Sequence, residues 1–178
     1  MKFAVEEAFR TMYGLVTDRV TSLALRECCR YALGDPRFAK GYGSSVDTSH
    51  KHHAYSGGLV VHTAEVVTAA VSMGETVGAD LDVLITAAIW HDFAKIHDYD
   101  EHGNGTKYRD LIRHVSGSFA EFTWYWDVIE HPKYEEISHC ILAHHGRKEW
   151  GSPVEPQTKE AACLHYADML SMQFGAGR

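Results

Sequence analysis

The sequence predicts an all-α helical bundle with one short hairpin or loop insertion. Apolar residues recur at helical spacing along most of the chain, and only one stretch carries a strong hairpin turn signal. The 178 residues contain 45% hydrophobic and 11% aromatic residues, which suits one soluble globular domain with its own core. No internal repeat or low-complexity tract divides the chain, so we expect a single domain over residues 1–178.

The N-terminal half is predicted to contain four helices, at residues 2–16, 18–33, 59 to about 74 and 80 to about 95. Asp18 is the expected N-cap of the second helix, and Gly34 is its expected end. The stretch "GDPRF" then predicts a short turn or helix. A loop of small residues follows from Gly41 to Ser49.

The C-terminal half is predicted to contain three further helices, at residues 109–130, 134–145 and 158–173. Before them, the central "HGNGT" of "IHDYDEHGNGTKYR" is a turn signal between short polar and aromatic segments. This stretch is the predicted hairpin or loop. The segment "GSPVEP", with one glycine and two prolines that interrupt helices, separates the last two predicted helices.

Composition excludes several classes of protein. No stretch approaches the roughly 18 consecutive apolar residues of a membrane span, and two glutamates in "MKFAVEEAFR" oppose a signal peptide. We therefore expect a cytoplasmic protein without a membrane partner.

Four cysteines without C-x-x-C spacing predict buried free thiols. The net charge of −7 opposes strong non-specific binding to a long polyanion.

The helix predicted from Asp80 ends in "WHDFAK" at residues 90–95. Its core-facing stripe consists of Leu81, Leu84, Ile85 and Ala88. Continuing that stripe leads to His91 and Asp92, and Lys95 lies one turn further along the same face. An unpaired buried carboxylate is costly, so Asp92 must be neutralised, hydrogen-bonded or bound to a metal.

Four other predicted helices direct a histidine or a carboxylate to their inner face: His62, His114, His144 with His145, and Asp168. The apolar residues that define those faces are Leu59, Val66, Ala69 and Met73; Leu111 and Val115; Ile137 and Ile141; and Ala161, Leu164 and Met172. Taken singly, each polar residue is more often a hydrogen-bonded core residue, a cap or an ion-pair partner. Taken together, the set predicts a metal site built by facing helices.

Ligand chemistry narrows the cofactor to one or two divalent transition metals. Imidazole and carboxylate ligands without thiolate suit manganese, iron, cobalt, nickel or zinc, and do not select among them. A carboxylate such as Asp92 can bridge two ions, which would clamp the attacking and leaving oxygens of a displacement at phosphorus. Lys95 can balance charge on a phosphoryl oxygen, although spacing alone also allows a solvated lysine at a helix end.

The order His62, "HD" at 91–92 and Asp168 resembles the H…HD…D signature of the HD superfamily of metal-dependent phosphohydrolases. The longer segments that resemble the HD domain of bacterial 3′→5′ exoribonucleases are "HHAYSGGLVVHTAEV", "HDFAKI", "RHVSG", "HCILAHHG" and "EWGSPVEPQTKEAACLHYADML". The resemblance covers about residues 50–174, and it implies an HD-domain helical bundle there with residues 1–49 as an N-terminal helical extension.

The resemblance implies roles for the candidate residues. One metal is expected on His62, His91, Asp92 and Asp168, and in two-metal members Asp92 bridges to a second ion. That second ion is expected on His114, His144 and His145. Lys95 matches a residue that contacts phosphate in several branches, so Asp92 and Lys95 are the expected catalytic residues.

The leading functional expectation is hydrolysis of a phosphoester or phosphoanhydride bond in a nucleotide or short oligonucleotide. In the exoribonucleases an OB domain precedes the HD domain, whereas here about fifty helical residues stand in that place. Stand-alone HD proteins resemble deoxynucleoside triphosphate triphosphohydrolases and 5′-nucleotidases. Besides Lys95, the expected substrate-binding residues are His53, Tyr55 and Trp150, although "KHH" at 51–53 is equally an exposed loop.

Three alternatives remain open at the level of sequence. The first is a 3′→5′ exoribonuclease acting on single-stranded RNA, which makes a short single-stranded nucleic acid the alternative partner. The second is an HD-type di-iron oxygenase that acts on an organophosphonate, and the third is a non-catalytic binding module. The apolar run "FTWYWDVI" also predicts a homo-oligomer.

Overall fold

The computed structural model describes residues 5–46, 51–125 and 129–174. In these ranges the α-helices are α1 Val5–Arg19, α2 Leu23–Gly34, α3 Gly58–Val77, α4 Leu81–Trp90, α5 Lys95–Asp98, α6 Lys107–Leu111, α7 His114–Trp124, α8 Tyr134–Ala143 and α9 Lys159–Phe174. Short 3-10 helices lie at Phe38–Lys40 and Lys148–Trp150. The predicted all-α class is confirmed.

Helices α3 and α4 form the centre of the bundle. Helix α3 packs against α1, α4 and α9, and α4 packs in addition against α2 and α8. Every residue of α4 from Asp82 to Trp90 is buried. Because α4 is surrounded, polar groups at its C-terminal end must find partners inside the protein.

The predicted insertion is a small hairpin between α5 and α6. An isolated antiparallel bridge joins Tyr99 to Gly105. The Asp100 carboxylate accepts hydrogen bonds of 2.9 Å from the backbone N–H groups of His102 and Asn104. An aspartate that bonds to the following backbone in this way stabilises a tight turn.

The predicted N-cap of α2 is wrong. Helix α1 continues through Asp18, and Ser22 caps α2 by accepting a 3.4 Å bond from the Leu25 N–H. The turn between the helices is fixed from outside, because the Thr21 N–H and hydroxyl both donate to the carboxylate of Asp82. This tertiary contact, which the local sequence does not reveal, sets the boundary.

Helix α4 ends at Trp90, five residues before the predicted end. The next residues form tight turns, with bonds from Phe93 N–H to Trp90 C=O and from Lys95 N–H to Asp92 C=O. The imidazole of His91 donates to the carbonyl of Ala88, a group that the next helical turn would otherwise use. His91 and Asp92 therefore lie just beyond the helix.

The helix predicted at residues 109–130 is two helices, α6 and α7. Arg113 lies between them with φ of +65°, a conformation that interrupts a helix. Leu111 is 71% exposed and does not form an inner face with His114, contrary to the prediction. Met172, predicted on the inner face of the last helix, is 38% exposed.

Helix α3 ends at Val77, three residues past the predicted end at Gly74, and the φ of +63° at the following Gly78 suits a glycine cap. Parts of three other predictions lie outside the described residues: 2–4 of the first helix, 47–49 of the small-residue loop, and 126–128 of the "FTWYWDVI" run. The division into an extension at 1–49 and a core at 50–174 stays a prediction.

The four cysteines, Cys28, Cys29, Cys140 and Cys163, are buried and unpaired, as predicted. Burial raises the pKa of the Cys29 and Cys140 thiols to about 12, so these groups are inert. In the described part of the chain, the helices are too short or too polar to cross a membrane.

Candidate metal centre

Two central helices end on a histidine that caps its own helix. Helix α4 is followed by His91 and α8 by His144. The Nδ1–H of each ring donates a 2.7 Å hydrogen bond three residues back, to the carbonyls of Ala88 and Ile141 respectively. This bond fixes the ring orientation and leaves the Nε2 atom free to bind a metal.

Three more histidines are fixed through Nδ1 in the same way. Their Nδ1 partners are Ser171 Oγ for His62 at 3.0 Å, Trp150 C=O for His145 at 2.8 Å, and Asp98 Oδ2 for His114 at 3.0 Å. The Ser171 hydroxyl donates to Glu65 at 2.7 Å, so it accepts from His62. All five rings therefore present Nε2 as the available ligand atom.

The predicted ligands lie in two groups. The first consists of His62, His91, Asp92 and Asp168, which are all buried, and the second of His114, His144 and His145. Within each group the ligand atoms lie within 4.8 Å of one another. Both groups are thus compact enough for one metal ion each.

Asp92 lies between the two groups and faces each with a different oxygen. Its Oδ2 is 3.2 Å from Nε2 of His62 and 3.4 Å from Nε2 of His91. Its Oδ1 is 3.4 Å from Nε2 of His114 and 3.6 Å from Nε2 of His144. This is the arrangement expected of a carboxylate that bridges two metal ions.

Two buried polar atoms without hydrogen bonds also indicate a metal site. Among the described residues, the buried atoms Asp92 Oδ1 and His144 Nε2 make no hydrogen bond. A buried polar atom without a partner costs about 1–3 kcal/mol. Both atoms are ligand types for divalent transition metals, so an ion between them would satisfy both at once.

The protonation states suit ligation. Burial raises the pKa of Asp92, but Lys95 and His91 outweigh it, so this pKa lies well below its usual range. Burial and the neighbouring His145 hold the pKa of His144 well below 6.5, which keeps the ring neutral. An ionised carboxylate and a neutral imidazole are the forms that bind metals.

His62 shows how strongly the first group attracts a positive charge. Burial lowers its pKa, but hydrogen bonds to Asp168 and Asp92 outweigh burial, and the pKa is raised. The two carboxylates therefore favour a positive charge at this position. A divalent ion bound by these residues would supply such a charge.

Lys95 is not a solvated lysine, as only 7% of it is exposed. Its Nζ lies 2.6 Å from Asp92 Oδ2 and donates to the Gly43 carbonyl at 2.8 Å. Burial lowers its pKa, but the charge of Asp92 raises it more, so the group is an ammonium. Its predicted contact with phosphate stays a prediction.

The three other predicted substrate-binding residues lie around the ligands. His53 is buried, with its ring 5.3 Å from that of His62, so the exposed-loop alternative is wrong for this residue. Tyr55 is half-buried, 6.4 Å from the His53 ring. Trp150 lines a cavity together with His145 and Asp168. Their binding roles stay predictions.

Sequence reasoning missed the groups that hold the ligands. Glu65 accepts from Ser171 and lies 3.1 Å from His53 Nε2. It comes three residues after His62, and Ser171 comes three after Asp168, so each shares a helix face with a ligand. That spacing was an available signal.

Two further residues were missed. Asp98, which orients His114, belongs to a second "HD" pair at 97–98, so the sequence carried a signal for it. The ring of His52 lies 5.3 Å from that of His62. Burial and the nearby Lys95 lower the pKa of His52 to about 2, so it is neutral.

Comparison with known proteins agrees with this geometry. Residues 59–173 match the HD domain family. The chain is 30% identical over 145 residues to the 3′-5′ exoribonuclease YhaM of Bacillus licheniformis, which covers 75% of this chain and 44% of the relative. It is 32% identical over 145 residues to that of Bacillus velezensis, with the same coverage.

For the enzyme of the same name from Bacillus subtilis, identity is 32% over 130 residues, which is 67% of this chain and 40% of the relative. The chain thus spans less than half the length of these relatives. No solved structure gives a significant match. From the match over residues 59–173, the chain belongs to the HD domain family, and the two ligand groups lie within the matched range.

Proposed function

We propose that this domain hydrolyses a phosphoester or phosphoanhydride bond of a nucleotide or short oligonucleotide. The observation that carries the proposal is Asp92, whose two oxygens face two groups of ligands. Two divalent metal ions in such a site activate a water nucleophile and stabilise the charge on the reacting phosphate. Manganese, iron, cobalt, nickel and zinc all suit the ligand set.

Each candidate residue has a proposed task. His62, His91, Asp92 and Asp168 bind one ion, and Asp92 shares a second with His114, His144 and His145. The ammonium group of Lys95 touches Asp92 and balances charge on a phosphoryl oxygen beside it. His53 and Tyr55, on the chain segment before α3, contact the rest of the substrate.

A second candidate function is a 3′→5′ exoribonuclease or phosphodiesterase acting on single-stranded RNA. The exoribonucleases at 30–32% identity support it, since their similarity extends over most of this chain. The net charge of −7 favours a small substrate instead, because long RNA binds best to a basic groove. Both candidates use the same ligand groups.

The test is a substrate panel with the purified chain in manganese. Nucleoside mono-, di- and triphosphates and short single-stranded RNA are each incubated, and the products are identified by mass spectrometry. Release of phosphate, or of a nucleoside monophosphate from an oligonucleotide, supports the proposal and shows which bond is cut. Absence of hydrolysis with every substrate, in manganese and then in iron, cobalt, nickel or zinc, contradicts it.

A parallel incubation without oxygen separates hydrolysis from oxidation. Hydrolysis continues unchanged in the absence of oxygen, whereas turnover that requires oxygen, with an organophosphonate as substrate, contradicts the proposal and favours the di-iron oxygenase. The cytoplasmic location and the homo-oligomer stay predictions. Light scattering on the purified chain tests the second.

A further inference from the structure

A cavity opens directly beside the two ligand groups. Its volume is about 300 Å³, and one ligand from each group, Asp168 and His145, contributes to its wall. The other described lining residues are Trp150, Met169 and Met172. The wall is thus metal-binding on one side and apolar or aromatic on the other.

We propose that this cavity holds one nucleobase of the substrate, stacked on Trp150, while the attached phosphate lies at the ligand groups. This inference rests on the proposed function and names the substrate class of the same site. An indole ring and two thioethers suit a flat aromatic ligand, because bases stack on aromatic side chains and methionine sulfur packs against ring edges. The volume lies at the low end of the roughly 300–1,000 Å³ typical of ligand sites, which is enough for one base.

Hydrogen bonds position the backbone of Trp150, and its ring packs against Arg147. The backbone N–H of Trp150 donates to Arg147 C=O at 3.1 Å, and the Arg147 guanidinium lies over one face of the indole ring, 4.8 Å from its centre. The Trp150 carbonyl accepts from His145 Nδ1. The residue proposed to contact the base therefore also orients His145, one of the candidate metal ligands.

The cavity offers little to distinguish one base from another. Asp168 Oδ1 is engaged with His62, and His145 Nδ1 with the Trp150 carbonyl. The two methionines carry no donor, so among the described lining residues the indole N–H is the remaining side-chain donor. Stacking is tolerant of base identity, and all four bases are accepted with similar affinity.

Binding of uncharged nucleosides to the metal-free chain tests this inference independently of catalysis. Adenosine, guanosine, cytidine, uridine and free ribose are titrated against the full chain in chelator by saturation-transfer NMR. We expect all four nucleosides to bind within about threefold of one another, with ribose at least tenfold weaker. Ribose binding as well as the nucleosides, or only one base binding, overturns the inference.

Variants locate the bound base. Trp150→Ala should weaken nucleoside binding by about tenfold to a hundredfold, as expected for the loss of one stacking partner. Its matched control is Trp124→Ala, since Trp124 is also exposed but lies on α7. Met172→Gln should weaken binding as well, and Leu170→Gln, its exposed neighbour on α9, should not. Equal effects of variant and control overturn the inference.

The same proteins separate this inference from the proposed function. If nucleosides bind as described but no nucleotide or oligonucleotide is hydrolysed with metal, the proposed function fails and the base site stands. If hydrolysis occurs but Trp150→Ala leaves both nucleoside binding and KM unchanged, the base site fails and the proposed function stands.

Discussion

Replacing Asp92 with alanine is the strongest test of the metal centre. The carboxylate is within 3.6 Å of histidine Nε2 atoms from both ligand groups, so in the proposed two-metal site its loss would remove a ligand from each ion. Transition-state stabilisation by a metal pair is worth several kcal/mol, and a loss of about 4 kcal/mol corresponds to a thousandfold lower rate. We expect Asp92→Ala to lose at least that much activity and to bind fewer metal ions.

The same change should destabilise the metal-free chain. Lys95 is buried, with its Nζ 2.6 Å from Asp92, and alanine leaves this ammonium group with the Gly43 carbonyl. Breaking a buried ion pair from one side costs about 3–5 kcal/mol. At 2–4 °C per kcal/mol for a chain of this size, we expect Tm to fall by at least ~6 °C.

Three measurements on Asp92→Ala separate the possible roles of the carboxylate: hydrolysis rate, metal content by mass spectrometry, and thermal unfolding in chelator. The control is Asp110→Ala, because Asp110 is exposed on α6 and pairs with Arg109 at the surface. Full activity with unchanged metal content would refute the bridging role. Lost activity with unchanged metal content would mean that Asp92 acts on the substrate and not as a ligand.

Three further outcomes are expected. His144→Ala should lose the second metal ion and most of the activity. His139 lies outside both ligand groups, so His139→Ala should keep its metal content and its activity. Equal losses in the two variants would mean that the wrong histidine was assigned. Asp98→Asn should weaken metal binding by about 10- to 100-fold in a chelator competition, because Asp98 orients His114; unchanged affinity would contradict that role. Burial raises the pKa of Asp82, but its hydrogen bonds to Thr21 in the α1–α2 turn and to Lys133 outweigh burial and lower the pKa. Its stabilisation is therefore complete above the unfolded pKa of about 3.9 and is lost as pH falls through the folded value. In denaturant unfolding, Asp82→Asn should lower the free energy of unfolding by about 1–3 kcal/mol at pH 7. It should also weaken the loss of stability as the pH falls below about 4. A loss of stability with falling pH as steep as in the unchanged chain would contradict this.

Apolar periodicity was sufficient for the fold class, because α3, α4, α8 and α9 each bury a regular set of apolar residues. The predicted helix boundaries were wrong where a side chain forms a hydrogen bond with a backbone group that the helix would otherwise use. They were also wrong where a residue distant in the sequence holds a turn. The His91 ring takes the Ala88 carbonyl and so ends α4 early. Asp82 holds Thr21, 61 positions away in the chain, and moves the start of α2.

The candidate ligands were predicted from helix faces, although several of them lie at helix ends. The spacing rule still worked, because the capping residues keep helical dihedrals: φ and ψ are −52° and −41° at His91, and −63° and −27° at His144. These side chains therefore point where one more turn of helix would place them. The cavity beside them could not be predicted, since its shape depends on how the 3-10 helix containing Trp150 packs against α9.

The electrostatics of the centre explain why a buried acid follows α4. Helices α4 and α8 both direct their C-terminal ends, which carry partial negative charge, towards Asp92. A buried carboxylate there is disfavoured twice, by desolvation and by these dipoles. Lys95 provides compensating charge at Asp92 Oδ2, whereas Asp92 Oδ1 makes no hydrogen bond with the described residues. Since Lys95 lies beside Oδ2, the proposed second ion between Oδ1 and the rings of His114 and His144 would provide compensating charge on the other side of the carboxylate.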